Sequence, residues 1–356
     1  MTHRQAHWLE KLQVQIATLA GVLAAYAVVW PLVAPGDPPG PLAFLASGEV
    51  AKAGTLAVAM GALAVGVCLL TFSARPEGTM AALLLGLGGL SLRSGSMRVL
   101  LWAREDDLGT MFWQMLLELM VLAALAVAAG LFVGVLHAIL RGPLGRWGWQ
   151  DLLEVVPDSD QREYLRCLAD DKDRGEEAGA RRDDLATSLT GGGFARIIVD
   201  HLARNAPGAS ARAKGPGAAK PGDTVTRCGL CFLTAVGLTL ALVWLLARSG
   251  DRGQILFALL AGSFLATLVA YQLFPSRLNW AAWASPLAAG AAFYVLAAVG
   301  APRTGCGAWM SVYNSSQALP IDWITAGLGG ALLGFWGSSR LHEGKFLDQC
   351  DDGQQE

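Results

Sequence analysis

Eight stretches of this chain run for close to the length of helix that crosses a bilayer core of about 30 Å, with scarcely a charge among them. They lie at Leu12 to Val33, Ala53 to Phe72, Thr79 to Trp102, Met111 to Leu140, Cys228 to Ala247, Gln254 to Leu273, Trp280 to Gly300 and Ile321 to Gly337. In hydrocarbon every backbone amide must be bonded within its own segment or within a closed barrel. Barrel strands alternate in side-chain polarity over about 10 residues, and none of these blocks alternates. The expected fold class is therefore an all-α membrane protein, a polytopic bundle of about eight transmembrane helices.

Composition bears this out. Of the 356 residues, 53% are hydrophobic and 16% charged, against about 25% charged in soluble domains. A net charge of -2 supplies no basic field for nucleic acid. The first apolar stretch, Ile16 to Ala34, exceeds the roughly 7 to 15 residues of a signal h-region and is expected to be a retained helix.

Lysine and arginine set the expected orientation. Arg4, Lys11, Arg75, Arg277, Arg340, Lys345 and a charged central segment fall on one face. Lys52, Arg104, Arg248, Arg252 and Arg303 fall on the other, among the acids Asp37, Glu49, Glu105, Asp106, Asp107 and Asp251. Both termini are expected to be cytoplasmic. Short connections and an Ala, Gly and Leu bias suit a bacterial inner membrane.

The chain divides into a first membrane group of four helices (1–140), a polar cytoplasmic segment (141–227), a second group of four (228–340) and a polar tail (341–356). Within the polar segment, Pro157, Asp158, Ser159, Asp160 and Glu163 read as a helix start, with acids at the positive end of the helix dipole. Gly191 to Gly193 read as a hinge. Phe194, Ile197, Ile198, His201 and Leu202 fall at helical spacing, and Ala206 to Thr226 has the composition of a disordered linker. This segment is the expected contact for protein partners. Arg204, Arg212, Lys214, Lys220 and Arg227 are positioned to attract anionic lipid.

The third block carries the least ordinary chemistry. Arg93, Ser94, Gly95, Ser96 and Arg98 interrupt it, and Arg93 would lie about 14 Å below the outer end of a continuous helix. An arginine at such depth needs a partner or water. Glu118, the only acid well inside any block, sits level with it on the next helix. Arg93, Arg98 and Glu118 thus form a candidate intramembrane polar site, read as an ion pair that sets helix register, with a polar cavity or anion site beside Gln114 as the alternative and snorkelling as a third. A locally unwound Ser94-Gly95-Ser96 would expose amides to an anion.

Gly130 and Gly134, Gly330 and Gly334, and the glycines at 86, 88 and 89 suit close intramolecular helix packing. Cys228 and Cys231 have CxxC spacing but stand without a second pair, so no metal site follows. The five histidines are scattered, without HExxH or GxSxG, so no catalytic residue and no cofactor are proposed. Tryptophans near block ends, among them Trp30, Trp102, Trp113, Trp147, Trp149, Trp280 and Trp323, suit interfacial belts.

Three functions fit these residues. The first is a non-enzymatic membrane component, a scaffold or accessory subunit. The second is a transporter or channel-like protein with its polar site around Arg93 and Glu118. A membrane-embedded lipid enzyme ranks last, because it needs convergent His, Asp or Glu at one interface.

Overall fold

A computed structural model describes residues 3–34, 40–48, 50–71, 76–141, 221–274, 280–300, 308–338 and 341. Those residues are helices and connecting turns, with no strand among them. Helix α1, His3–Ala24, continues through a π-helical turn, Ala25–Val29, into Trp30–Val33. After it come α2 (Val50–Leu70), α3 (Pro76–Arg93) and α4 (Met97–Ala103). The later helices are α5 (Leu108–Arg141), α6 (Pro221–Leu246), α7 (Arg252–Leu273) and α8 (Trp280–Gly300). The last, α9, starts at Pro320–Asp322, widens into a π turn at Trp323–Gly327 and runs on through residues 328–338.

Among the described residues six helices are long and apolar enough to cross a membrane, and a seventh crossing results if α3 and α4 count as one. The outer surfaces of these helices carry large apolar side chains, with Val58 76% and Val299 77% exposed. Water disfavours such a surface when it is continuous, so it is compatible with an integral membrane protein. At 34 residues, α5 is about 50 Å long and outreaches the bilayer core of about 30 Å.

The expected third block breaks at Ser94 to Ser96, and α3 and α4 meet at 53°. Ser96 causes the restart: its extended backbone places its hydroxyl to accept from the Arg98 amide, an N-cap. At the start of α6 the sequence reading needs correction. Residues 221–226, assigned to a disordered linker, are the first turns of that helix, because the apolar run that follows propagates helix upstream once it is nucleated. The remaining expectations for 141–227 fall on residues 142–220, or on the Arg227 side chain, outside the described residues; so does the tail from 342.

Helix α9 departs furthest from a lipid-facing segment. It is packed against α3, α5, α7 and α8, and from Ser315 to Leu332 only Ala326 escapes full burial. One apolar core therefore joins both groups of helices, through residues such as Leu87, Leu119, Leu259, Phe293 and Ile324.

Small residues set the closest helix contacts. A Cβ at Gly330 or Gly334 would collide with the backbone carbonyl oxygen of Leu260 or Phe264 on α7. Gly21 and Gly86 bring α1 and α3 together in the same way, with a Cβ on either lying 3.0 Å from the other's Cα. Gly130 has looser surroundings, its nearest neighbour being the Trp283 ring at 3.4 Å from a built Cβ, and Gly134 is half-buried.

Candidate functional site

The polar chemistry collects where α3 stops and α9 begins. A helix leaves its last four carbonyls without intrahelical partners, and its C-terminal end carries partial negative charge. Near the end of α3 the Ser91 carbonyl oxygen accepts from Arg252 Nε at 3.1 Å and Nη2 at 2.9 Å. The N-terminus of α9 presents the opposite need. Pro320 occupies its first turn, where a missing N–H costs nothing, and Asp322 Oδ2 accepts from the Leu319 amide at 2.7 Å.

Arg252, at the start of α7, joins the two ends. Its Nη1 donates to Asp322 Oδ2 and its Nη2 to Oδ1, each at 2.5 Å. Asp322 is fully buried while the Arg252 side chain is 15% exposed. The bidentate geometry suits the planar guanidinium fork. A second link between the helices runs from Ser91 Oγ to Thr325 Oγ1 at 2.9 Å. Beside it Tyr294 on α8 donates its hydroxyl to the Ala318 carbonyl at 2.7 Å. Trp323, assigned to an interfacial belt, is wholly buried against Phe293, their rings 6.0 Å apart. Trp30 is buried as well, whereas Trp102 and Trp113 lie on the outer surface.

Segment 40–48 closes over this end of the bundle. Leu42, Ala43, Phe44 and Ala46 are buried. A connection so buried must have its backbone groups satisfied. The Leu42 amide donates to Ser94 Oγ at 2.8 Å, the Gly95 amide to the Gly40 carbonyl at 3.1 Å, and Arg104 Nη2 to the Ala46 carbonyl at 2.9 Å. The broken helix thus supplies Ser94 and Gly95 as partners for this segment. Glu118 supplies another: its Oε2 accepts from the Leu45 amide at 2.9 Å.

Arg93 and Glu118 therefore serve different neighbours, and the expected ion pair between them is absent. Arg93 is exposed, and its Nη1 donates to the Tyr26 carbonyl at 2.7 Å. Its guanidinium lies 4.9 Å from the Tyr26 ring centroid and 5.7 Å from that of Trp30. Pro31 explains why that carbonyl is open. In the π turn the Trp30 amide reaches back five residues to Ala25. The next amide in that pattern would serve Tyr26 but belongs to Pro31, which has no hydrogen.

Arg98 is exposed and lies against Gly250: a Cβ there would stand 2.6 Å from Arg98 Nε and Nη2, and closer still to Gln317 Oε1. Gln114 is half-buried. Cys228 and Cys231 are buried free thiols. Among the described residues no group of three or more His, Cys, Asp or Glu is placed to hold a metal ion.

These placements predict how substitutions combine. Arg93→Leu is expected to cost less than about 1 kcal/mol, the range of an exposed cation–π contact. Combined with Glu118→Leu, its effect should be additive within about 0.5 kcal/mol, as for residues with no shared partner. Unfolding in mild detergent measures both; a larger coupling would mean that the two side chains share an interaction.

Arg252 and Asp322 were the residues that sequence reading missed. By sequence alone Arg252 is one more loop cation and Asp322 the edge of an apolar block. The Leu-Pro-x-Asp order at 319–322 was the available signal, since it is a helix start that holds an acid in the first turn.

Fold and site together define, over the described residues, an all-helical protein with six or seven candidate membrane-spanning helices and a charge pair buried between a helix end and a helix start. Nothing among protein-family models, curated proteins or solved structures matches the chain.

Proposed function

We propose that this chain is a non-enzymatic integral membrane component, a scaffold or accessory subunit with eight crossings. In this reading the bent α3 and α4 make one crossing and α9 makes the eighth. Both termini and the 141–227 segment face the cytoplasm of a bacterial inner membrane, as the lysine and arginine asymmetry suggests. The segment serves as the contact for protein partners, and Arg204, Arg212, Lys214, Lys220 and Arg227 rest on anionic lipid.

The Arg252–Asp322 pair carries the reading. Its charges are satisfied by each other, by Ser91 and by Leu319, so it acts as an internal brace between helices and holds no group ready for a solute. The alternative, a transporter or channel-like protein with its polar site around Arg93 and Glu118, is favoured by Glu118, whose Oε1 has no hydrogen-bond partner.

Size and flux distinguish the two. Membranes solubilised in mild detergent are expected to hold the chain in a particle larger than its 37.4 kDa monomer plus micelle. Proteoliposomes of the purified protein should swell in sugars, amino acids and salts no faster than empty ones. A lone monomer in native membranes together with selective solute entry would replace this reading with the transporter.

A further inference from the structure

Glu118 is buried, with 2% of its surface exposed, and among the described residues its Oε1 is the only buried carboxylate oxygen without a hydrogen-bond partner. Its other oxygen holds the Leu45 amide. The helices packed against α5 are α2, α3, α8 and α9, and Lys52, Arg93 and Asp322, charged side chains described on them, are each directed to another partner. Lys52 on α2 donates to the Ala34 carbonyl. Arg93 on α3 holds Tyr26. Asp322 on α9 is matched by Arg252, and Arg104, ahead of α5, holds Ala46. Tyr294 on α8 lies within electrostatic reach of both Glu118 and Asp322, with its own hydroxyl bonded to Ala318. Segment 40–48 has no titratable side chain.

With Arg252 and Asp322 neutral as a pair, an ionised Glu118 would leave one uncompensated negative charge in a buried site. A proton suits this place better than a metal ion, because among the described residues no group of three or more His, Cys, Asp or Glu is placed to complete a metal shell. We propose that Glu118, closed over by segment 40–48, is a proton-binding site, in which Oε1 carries the proton while Oε2 stays on the Leu45 amide. A neutral hydroxyl without an acceptor is far less costly to bury than a bare charge. Exchange of that proton requires segment 40–48 to lift, since its buried residues lie over the carboxyl. This goes beyond the role of membrane component and does not depend on it.

The test uses dicyclohexylcarbodiimide, an apolar reagent, on the full-length protein in membranes. The carboxyl O–H adds across one C=N bond, its proton passing to nitrogen, and the adduct rearranges to a stable N-acylurea read by peptide mass. Glu118 is expected to be modified, with the yield falling about tenfold per pH unit above its titration midpoint. A water-soluble carbodiimide should leave it unmodified. Glu118→Gln, which keeps an oxygen for the Leu45 amide, should abolish labelling and unfold at the wild-type temperature. The proposal falls if folded protein is unmodified at Glu118, if the yield ignores pH, if the water-soluble reagent reacts equally, or if Glu118→Gln unfolds far below wild type.

Discussion

Asp322→Leu is expected to lower the unfolding free energy by about 3 kcal/mol, toward the lower end of the range for breaking a buried pair. Arg252→Leu should have an effect of similar size. Removing Asp322 leaves the Leu319 amide without its acceptor and Arg252 with only the Ser91 carbonyl. Removing Arg252 leaves a carboxylate that is fully buried with a single amide for company. The 15% exposure of Arg252 lets water reach that side, which argues against the upper limit of about 5 kcal/mol. The double variant Arg252→Met with Asp322→Leu should recover most of the loss, since apolar side chains of similar size can replace such a pair at little cost. Unfolding in mild detergent, with the yield of monodisperse protein beside it, measures all three. Losses that simply sum in the double variant would show that the two residues do not act as a unit.

The second large effect belongs to the contact between α9 and α7. Gly330→Ala and Gly334→Ala are each expected to cost about 1–3 kcal/mol, because the added methyl meets a backbone carbonyl of α7, which cannot rotate aside as a side chain would. Leucine at either position should prevent the helices from closing at all. Gly61→Ala and Gly88→Ala are the controls: a Cβ at either meets nothing within 4 Å, so alanine should be neutral or stabilising by up to about 1 kcal/mol. Thermal unfolding in the same detergent separates the two sets. Equal tolerance at Gly330 and Gly61 would mean that α9 does not lie tightly on α7.

The two effects have a common origin. Helix α9 is held at its start by charge and along its length by close packing, and it touches α3 and α5 as well as α7 and α8. An insertion between α8 and α9 that shifted the register of Asp322 would disturb Arg252, Ser91 and Leu319 together. The same element carries Trp323, whose ring lies within 3.0 Å of where a Cβ on Gly290 would stand.

Glu118 and Arg93 show how far sequence reasoning reaches in such a protein. Both were legible as polar residues in apolar surroundings, since an arginine or glutamate there is costly wherever the helix faces. Their partners were not legible. Arg93 rests on a carbonyl that is open because Pro31 lies five residues further along α1, and Glu118 holds an amide of a turn 73 residues away in sequence. Equal depth on adjacent helices made an ion pair the natural expectation, but depth says nothing of which way each side chain points.

That the polar interruption near Ser94 is a break, with α3 and α4 at 53°, came from the structure; from the residues alone came the apolar helices, their approximate ends, the interruption itself and, at Gly330 and Gly334, glycines suited to close approach. These are local properties: hydrocarbon demands intrasegment hydrogen bonds, and a run of apolar residues announces it without reference to the rest of the chain. Tertiary structure decided the remainder. Hydropathy cannot distinguish a helix covered by lipid from one covered by other helices, since both environments are apolar, so the central place of α9 emerged only on folding. The Arg252–Asp322 pair likewise joins residues 70 apart in sequence, and its stability comes from the converging ends of α3 and α9, a geometry that no single segment contains.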